Sequence, residues 1–175
     1  MPAFLHCHIA TTLDGRIARA DGSVDWLTEG APPPEAFGFE AFYAGIDAIL
    51  MGRGTFDAVR AMGDWPYPGK PTVVVTARPL ADAPPEVEAI GGVAAAVAAL
   101  ESRGHARVWA EGGGQLLRGL LAIGRLDRLE MAVLPLVLGE GPMLFPPGTL
   151  ETRFRLAQAR AVEGGCLHLV YDRIA

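Results

Sequence analysis

The sequence predicts an α/β protein: a twisted, mixed but mostly parallel central sheet, flanked by helices and finished by a C-terminal antiparallel hairpin. Three observations carry that expectation. Strand-like and helix-like stretches alternate up to about residue 125, as layered units with parallel strand pairs require. Thr72-Val73-Val74-Val75-Thr76 is β-branched at every position and reads as a buried strand. Residues 154–160 and 166–172 are strand-like runs joined through Glu163-Gly164-Gly165, the pattern of a closing hairpin.

The 175 residues suit one domain with a substantial core, expected to cover 1–175. Half are hydrophobic and 20% are charged, an ordinary globular composition leaning apolar. The net charge of −5 argues against nucleic acid as a partner. No apolar run is long enough to cross a bilayer, and no membrane partner is expected. Met1-Pro2-Ala3 leads directly into a strand-like pattern, so no signal or transit peptide is expected. Cys7 and Cys166 lie far apart in strand-like runs, as reduced core residues do, and a cytoplasmic location follows by default.

The first strand is read over residues 4–10, with Leu5, Cys7 and Ile9 on one face and His6 and His8 on the other. Two histidines alone do not make a zinc site, and neither Cys-x-x-Cys nor His-Glu-x-x-His accompanies them, so no metal is expected. Thr12-Leu13-Asp14-Gly15-Arg16 is a turn, with Asp14 a turn residue. The loop that follows ends in Asp25-Trp26-Leu27, where the tryptophan reads as a packing plug. Pro32-Pro33-Pro34 blocks regular structure, and a helix can begin at Glu35, with Phe39, Phe42, Tyr43 and Ile46 on its buried face.

Residues 46–51 form a strand candidate that runs into Gly52-Arg53-Gly54-Thr55-Phe56 and then a helix at 57–62. The loop 63–71 superficially resembles a phosphate-binding loop, but its glycine spacing is wrong and Pro71 stands where Ser or Thr is needed. After the strand at 72–76 come Ala77-Arg78-Pro79, a Pro-rich connection, and a helix marked by Val93, Val97 and Leu100. Residues 107–111 are a short strand, Gly112-Gly113-Gly114 a turn, and Gln115-Leu116-Leu117 the start of a helix. A further strand is read at 126–134, followed by a loop carrying Gly139 and Gly141.

Ligands in such sheets sit outside the carboxyl ends of strands. Three such ends carry Gly52-Arg53, Thr76-Ala77-Arg78 and Glu111-Gly112-Gly113-Gly114. Glycine permits close backbone approach, and helix N-termini favour anions, so the set suits a molecule with several phosphates. A Rossmann reading fails, because Leu117 occupies the third glycine position. A hydrolase is disfavoured, since neither Ser23 nor Ser102 sits in a nucleophile elbow.

In order along the chain, Thr12-Leu13-Asp14-Gly15-Arg16-Ile17-Ala18, Asp25-Trp26-Leu27, Met51-Gly52-Arg53-Gly54-Thr55-Phe56, Val74-Val75-Thr76-Ala77-Arg78, Glu111-Gly112-Gly113-Gly114-Gln115-Leu116 and Leu134-Pro135-Leu136-Val137-Leu138-Gly139-Glu140-Gly141 resemble the dihydrofolate-reductase-like superfamily. The resemblance is closest to the reductase domain of the bacterial riboflavin-biosynthesis deaminase–reductase and its small stand-alone relatives.

It implies a dihydrofolate-reductase-like sheet, NADPH as cofactor, a small-molecule substrate and a homodimer. By position it places Gly52, Arg53 and Thr55 at the cofactor phosphates, and Thr76, Ala77 and Arg78 at the adenosine end, where the arginine clamps a 2′-phosphate. Gly112, Gly113, Gly114, Gln115 and Leu116 would cradle the pyrophosphate, Gly139 would complete the cofactor site, and Trp26 would lie near the nicotinamide. Glu111 falls where the riboflavin reductases contact substrate. Asp25, Glu35 and Glu111 are the candidate proton donors.

The substrate half departs from the pattern. Thr55-Phe56-Asp57-Ala58-Val59-Arg60 replaces the usual Asp-Asp-Pro or Asp-Asn-Pro element, and Val24 stands where a substrate-binding serine is common. The zinc deaminase half is absent, and the carboxylate of dihydrofolate reductase maps near Ala36, with only Glu35 adjacent. The expectation is an NADPH-dependent reductase acting on a small heterocyclic or carbonyl substrate. The alternatives are a riboflavin-pathway reductase acting on a ribosylaminopyrimidine, a dihydrofolate reductase, and a non-catalytic NADP(H)-binding protein.

Overall fold

The computed structural model describes residues 1–174. Eight strands form one sheet: β1 (Phe4–Thr12), β2 (Ala48–Gly52), β3 (Thr72–Val75), β4 (Val87–Ile90), β5 (Arg107–Gly112), β6 (Arg128–Leu134), β7 (Phe154–Val162) and β8 (Cys166–Arg173). Their order is β4-β3-β2-β5-β1-β6-β8-β7. Neighbours from β4 to β6 pair parallel, while β8 runs antiparallel to both β6 and β7. The expected mixed sheet with a closing hairpin is what the chain forms.

The helices are α1 (Phe39–Gly45), α2 (Arg53–Ala61), α3 (Val93–Ser102) and α4 (Gly114–Ala122). Side chains alternate across a strand, so successive residues of β2 serve opposite faces. Ala48 and Leu50 join Leu5, Cys7, Val108 and Ala110 in a core closed by Leu117 and Leu120 of α4 and by Ala96 and Leu100 of α3. Ile49 and Met51 join Phe56 of α2 and Trp109 in a second core. Aromatic residues of α1 cover it: Phe39 and Phe42 meet Trp109 edge-on at 5.4 and 5.7 Å between ring centroids.

Several boundaries differ from the sequence expectation, each for a local reason. The helix expected from Glu35 is a 3-10 turn, Pro34–Phe37, followed by α1, because Gly38 breaks the run at φ 74°. Helix α2 begins at Arg53 rather than at residue 57, taking the glycine-arginine-glycine turn into its first turn. Strand β4 falls inside what reads as a Pro-rich connection. It is a four-residue edge strand, too short for its alternation to stand out.

Candidate active site

A cleft of about 750 Å³ opens at the carboxyl ends of β1, β2 and β5. Helices α2 and α4 both begin on it, with Gly52 and Gly113 as their N-caps, and neither start is capped by a side chain. A helix start leaves backbone N–H groups unpaired and carries the positive end of the helix dipole. Two such starts on one cleft make a cradle for an anion. Arg53 and Thr55 line the same place. The Arg53 guanidinium is anchored by Asp57 at 2.7 Å and by the Pro79 carbonyl at 3.1 Å, which ties α2 to the loop after β3.

The three glycines of the turn do different work. Gly112 holds φ 115°, a conformation that L side chains avoid. Gly113 has φ −74°, and a Cβ there would meet Ile17 Cδ1 and Thr55 Oγ1 at an ordinary 3.5 Å. Gly114 is needed by the protein itself, because a Cβ there would overlap the Met143 carbonyl oxygen. Of these three, Gly113 alone combines a negative φ, room for a Cβ and exposure to the cleft. Gln115 and Leu116 continue the cleft wall along α4.

On the same cleft, β5 presents Trp109 and Glu111 on one face, two residues apart. The Tyr67 hydroxyl donates a hydrogen bond to Glu111 Oε1, while Oε2 is sealed from solvent and has no hydrogen-bond partner among the described residues. Burial pushes the Glu111 carboxyl up to about 7, with the Tyr67 hydrogen bond working the other way. Near neutral pH this group can therefore hold a proton and release it. An unsatisfied buried carboxyl oxygen is costly, most of all when charged, which favours the protonated form. Burial also raises the Tyr67 phenol, so it stays a donor.

Two uncapped helix starts and a protonatable buried carboxyl thus share one cleft. Residues 3–168 match the model of the RibD C-terminal domain. The chain belongs to the RibD C-terminal domain family. It is 34% identical to the uncharacterized Bacillus subtilis (strain 168) protein YwjB over 95% of each chain. YyaP of the same organism is 27% identical, covering 93% of this chain and 91% of its own. A Shewanella sp. PV-4 structure, described provisionally as a riboflavin biosynthesis protein, superposes with a TM-score of 0.86 at 28% identity, covering 98% of this chain and 99% of its own. A Thermotoga maritima diaminohydroxyphosphoribosylaminopyrimidine deaminase/5-amino-6-(5-phosphoribosylamino)uracil reductase shares the fold, with a TM-score of 0.75 at 17% identity. This chain covers 57% of it, and 99% of this chain is covered.

Within this RibD-type reductase fold, the remaining residues singled out from sequence fall in three places. Thr76, Ala77 and Arg78 follow β3 beyond the cleft lining, with Ala77 and Arg78 exposed and the Thr76 hydroxyl accepting from the Arg78 N–H at 3.1 Å. Gly139 belongs to a brace behind the cleft. Its N–H donates to Asp14 Oδ2 at 2.8 Å, and its carbonyl accepts from Arg16 at 3.1 Å. A hydrogen bond from Thr12 and those from Gly139 and Leu138 hold Asp14 down at about 2, so it is the anionic centre of that brace.

Trp26, Asp25 and Glu35 do not reach the cleft lining. Trp26 is buried against Phe37, Ala132, Leu134 and Cys166, in keeping with its reading as a packing plug. Asp25 pairs with Arg19 at 2.6 Å, and that hydrogen bond lowers its pKa, which disfavours a proton-donor role. Glu35 is exposed on the 3-10 turn. Of the three candidate donors, only Glu111 faces the cleft. Tyr67, its clamp, has no sequence signal: it lies in an irregular loop, 44 residues from Glu111.

The fold also gathers His6 and His8 around Glu130 of β6 and His168 of β8. His8, Glu130 and His168 offer ligand atoms within 4.8 Å of one another. Two of these nitrogens already carry protons. Arg160 donates to His168 Nδ1 at 3.0 Å, so His168 Nε2 donates to Glu130 at 2.6 Å. His8 Nε2 lies 3.1 Å from the Phe37 carbonyl, which can only accept. A metal-bound imidazole needs that lone pair free and its other nitrogen donating outward, the reverse of this pattern. Burial raises the Glu130 pKa, but the hydrogen bond from His6, the charge of His8 and the hydrogen bond from His168 outweigh it and hold Glu130 at about 2. The cluster is a carboxylate fixed by histidines.

Proposed function

We propose that this chain is an NADPH-dependent reductase that transfers hydride to a small heterocyclic or carbonyl substrate. The observation that carries the proposal is the pairing, in one cleft, of two uncapped helix starts with a buried carboxyl whose second oxygen has no partner. The glycine caps and Arg53 fit a pyrophosphate, and NADPH, when bound, supplies the hydride. The chain's own residues do the rest. The first turns of α2 and α4 fix the phosphates. Tyr67 orients Glu111, and the Glu111 carboxyl gives its proton to the substrate heteroatom that receives the electron pair as the adjacent carbon is reduced. The products are NADP⁺ and an alcohol or amine, and the Glu111 carboxylate regains a proton from solvent.

A riboflavin-pathway ribosylaminopyrimidine is the second reading of the substrate, favoured by family membership. Free Cys7 and Cys166 suit a cytoplasmic setting.

Cofactor choice tests the reading. Arg78, exposed beyond the end of β3, is assigned the 2′-phosphate. Calorimetric titration of wild type should show NADPH bound more tightly than NADH. Arg78→Ala should remove the preference, a loss of about 1.5–3 kcal/mol or roughly tenfold to a hundredfold in affinity. Equal affinities in wild type would refute the assignment.

We also propose a homodimer. The seven inner residues of β7 are exposed along a sheet edge, and Leu156 and Leu167 are 52% and 42% accessible. An open apolar edge of this kind calls for a cover. Sedimentation at micromolar concentration should give twice the 18.5 kDa chain mass; a single 18.5 kDa species would contradict it.

A further inference from the structure

Glu111 lines the cleft, yet neither of its oxygens is free to meet a ligand. Oε2 is sealed from solvent and has no partner among the described residues, and Oε1 is held by the Tyr67 hydroxyl. Tyr67 lines the same cleft and is half-buried rather than sealed. Its ring is fixed independently of that hydrogen bond. Trp65 meets it edge-on at 5.2 Å between centroids and Trp109 at 5.4 Å, while its carbonyl accepts from the Lys70 N–H at 3.1 Å. The Lys70 ammonium reaches the Ile46 carbonyl at 2.5 Å and ties this loop to the end of α1.

The place of one proton follows. With Glu111 ionised, the Tyr67 hydroxyl donates to Oε1. Once the carboxyl is protonated, a hydrogen on Oε2 would be a buried donor without an acceptor. A hydrogen on Oε1 points instead at the Tyr67 oxygen, which can accept. The Tyr67 hydrogen then leaves Oε1 and turns to the cleft, where water or a bound molecule accepts it. Neighbouring groups do not compete. His8 is engaged with the Phe37 carbonyl, Arg53 with Asp57 and the Pro79 carbonyl, and Lys70 with the Ile46 and Tyr43 carbonyls. Tyr43, its ring 6.1 Å from that of Tyr67, and buried Cys7 make no hydrogen bond to the pair among the described residues.

We infer that Tyr67 is the catalytic residue that hands the proton to substrate, with Glu111 the reservoir behind it, the two exchanging hydrogen-bond direction as the proton passes. The inference rests on the reductase reading for the reaction it serves, while the exchange is a property of the pair. One proton and one hydride balance the step. As the substrate carbon gains the hydride that bound NADPH supplies, the electron pair of the carbon–heteroatom double bond moves onto the heteroatom, which bonds the Tyr67 hydroxyl hydrogen. The Tyr67 oxygen takes the Oε1 proton in the same step, so Tyr67 ends as a neutral phenol and Glu111 as a carboxylate. Solvent reprotonates Glu111 through the same hydroxyl. Burial holds the Tyr67 phenol well above its ordinary range, which keeps a free phenolate off this path.

Neutron crystallography of the ligand-free protein reads the exchange directly, because deuterons are located rather than assigned. About two pH units below the Glu111 value of about 7, a deuteron is expected on Oε1, with the Tyr67 deuteron turned to the cleft. About two units above it, the Tyr67 deuteron should lie on the line to Oε1. A deuteron on Oε2 at the acid pH, or a Tyr67 deuteron directed at Glu111 in both crystals, overturns the inference. Kinetics supply a second arm, with NADPH and 5-amino-6-(5-phosphoribosylamino)uracil as the probe. Tyr67→Phe should lower kcat by about 10²- to 10⁴-fold, as Glu111→Gln does, with KM within a few-fold of wild type. The double variant should lose no more than the worse single, since both groups act on one path. The solvent isotope effect should show more than one proton in flight in wild type and not in Tyr67→Phe. A Tyr67→Phe protein within a few-fold of wild type in kcat overturns the inference. A wild type that binds no NADPH in a parallel titration, or leaves the probe unreduced, counts against the reductase reading, and the deuteron positions then decide the inference on their own.

Discussion

Replacing Glu111 by Gln lowers turnover by about 10²- to 10⁴-fold and leaves NADPH affinity within a few-fold of wild type. The substitution keeps the side-chain shape and the acceptor for Tyr67 but removes the carboxyl proton. Because burial holds Glu111 up at about 7, wild-type turnover should fall as the pH rises above neutrality. The same substitution has a stability signature that needs no substrate. The folded-state pKa is raised from an ordinary 4.5, so between pH 4.5 and about 7 the folded chain keeps a proton that the unfolded chain has lost. That contribution is fully present below pH 4.5 and is lost as the pH rises through the folded value. Glu111→Gln does not titrate, and near pH 8 it should be more stable than wild type by up to about 3 kcal/mol. Urea denaturation at acid and alkaline pH reads this directly. Unchanged turnover together with unchanged pH dependence of stability would remove Glu111 from the mechanism.

Gly113→Val weakens NADPH by about a hundredfold or more while the protein still folds. The φ of −74° at 113 is open to an L residue, and a Cβ there finds its first neighbours at 3.5 Å, so there is room for a side chain. The side chain would stand at the N-cap of α4, between Thr55 and Ile17, in the space assigned to the pyrophosphate. Gly113→Ala serves as the smaller step, with a proportionally smaller loss. Gly114→Ala behaves differently: its Cβ overlaps the Met143 carbonyl, so it should lower Tm before it lowers affinity. Circular dichroism and calorimetry on the three variants separate ligand space from chain packing. A Gly113→Val protein that binds NADPH as tightly as wild type would make the turn a structural corner and nothing more.

The contrast among these glycines shows where sequence reasoning reaches and where it stops. Strand, glycine turn and helix are local patterns, and residues 107–117 and 48–61 fold as such patterns require. The role of each glycine depends on what lies opposite it. Met143 closes on Gly114 from the loop after β6, a contact that no local periodicity encodes. Tyr67 escapes for the same reason, as do Glu130 and His168, which gather with His6 and His8 only because β6 lies beside β1 and β8 beside β6 in the sheet. The proton-donor candidates Asp25 and Glu35 have the right chemistry in the sequence, but an ion pair with Arg19 and an exposed turn keep them off the cleft. Strand β4 is lost in the Pro-rich stretch because four residues carry too little alternation to be read.

The most direct test of the central claim is a crystal structure of the protein saturated with NADPH. The cofactor pyrophosphate is expected on the N–H groups at the starts of α2 and α4, between Arg53 and Gly113, with the nicotinamide ring beside Glu111 and Trp109. NADPH bound elsewhere on the surface, or a cleft that stays empty at saturating NADPH, would contradict it.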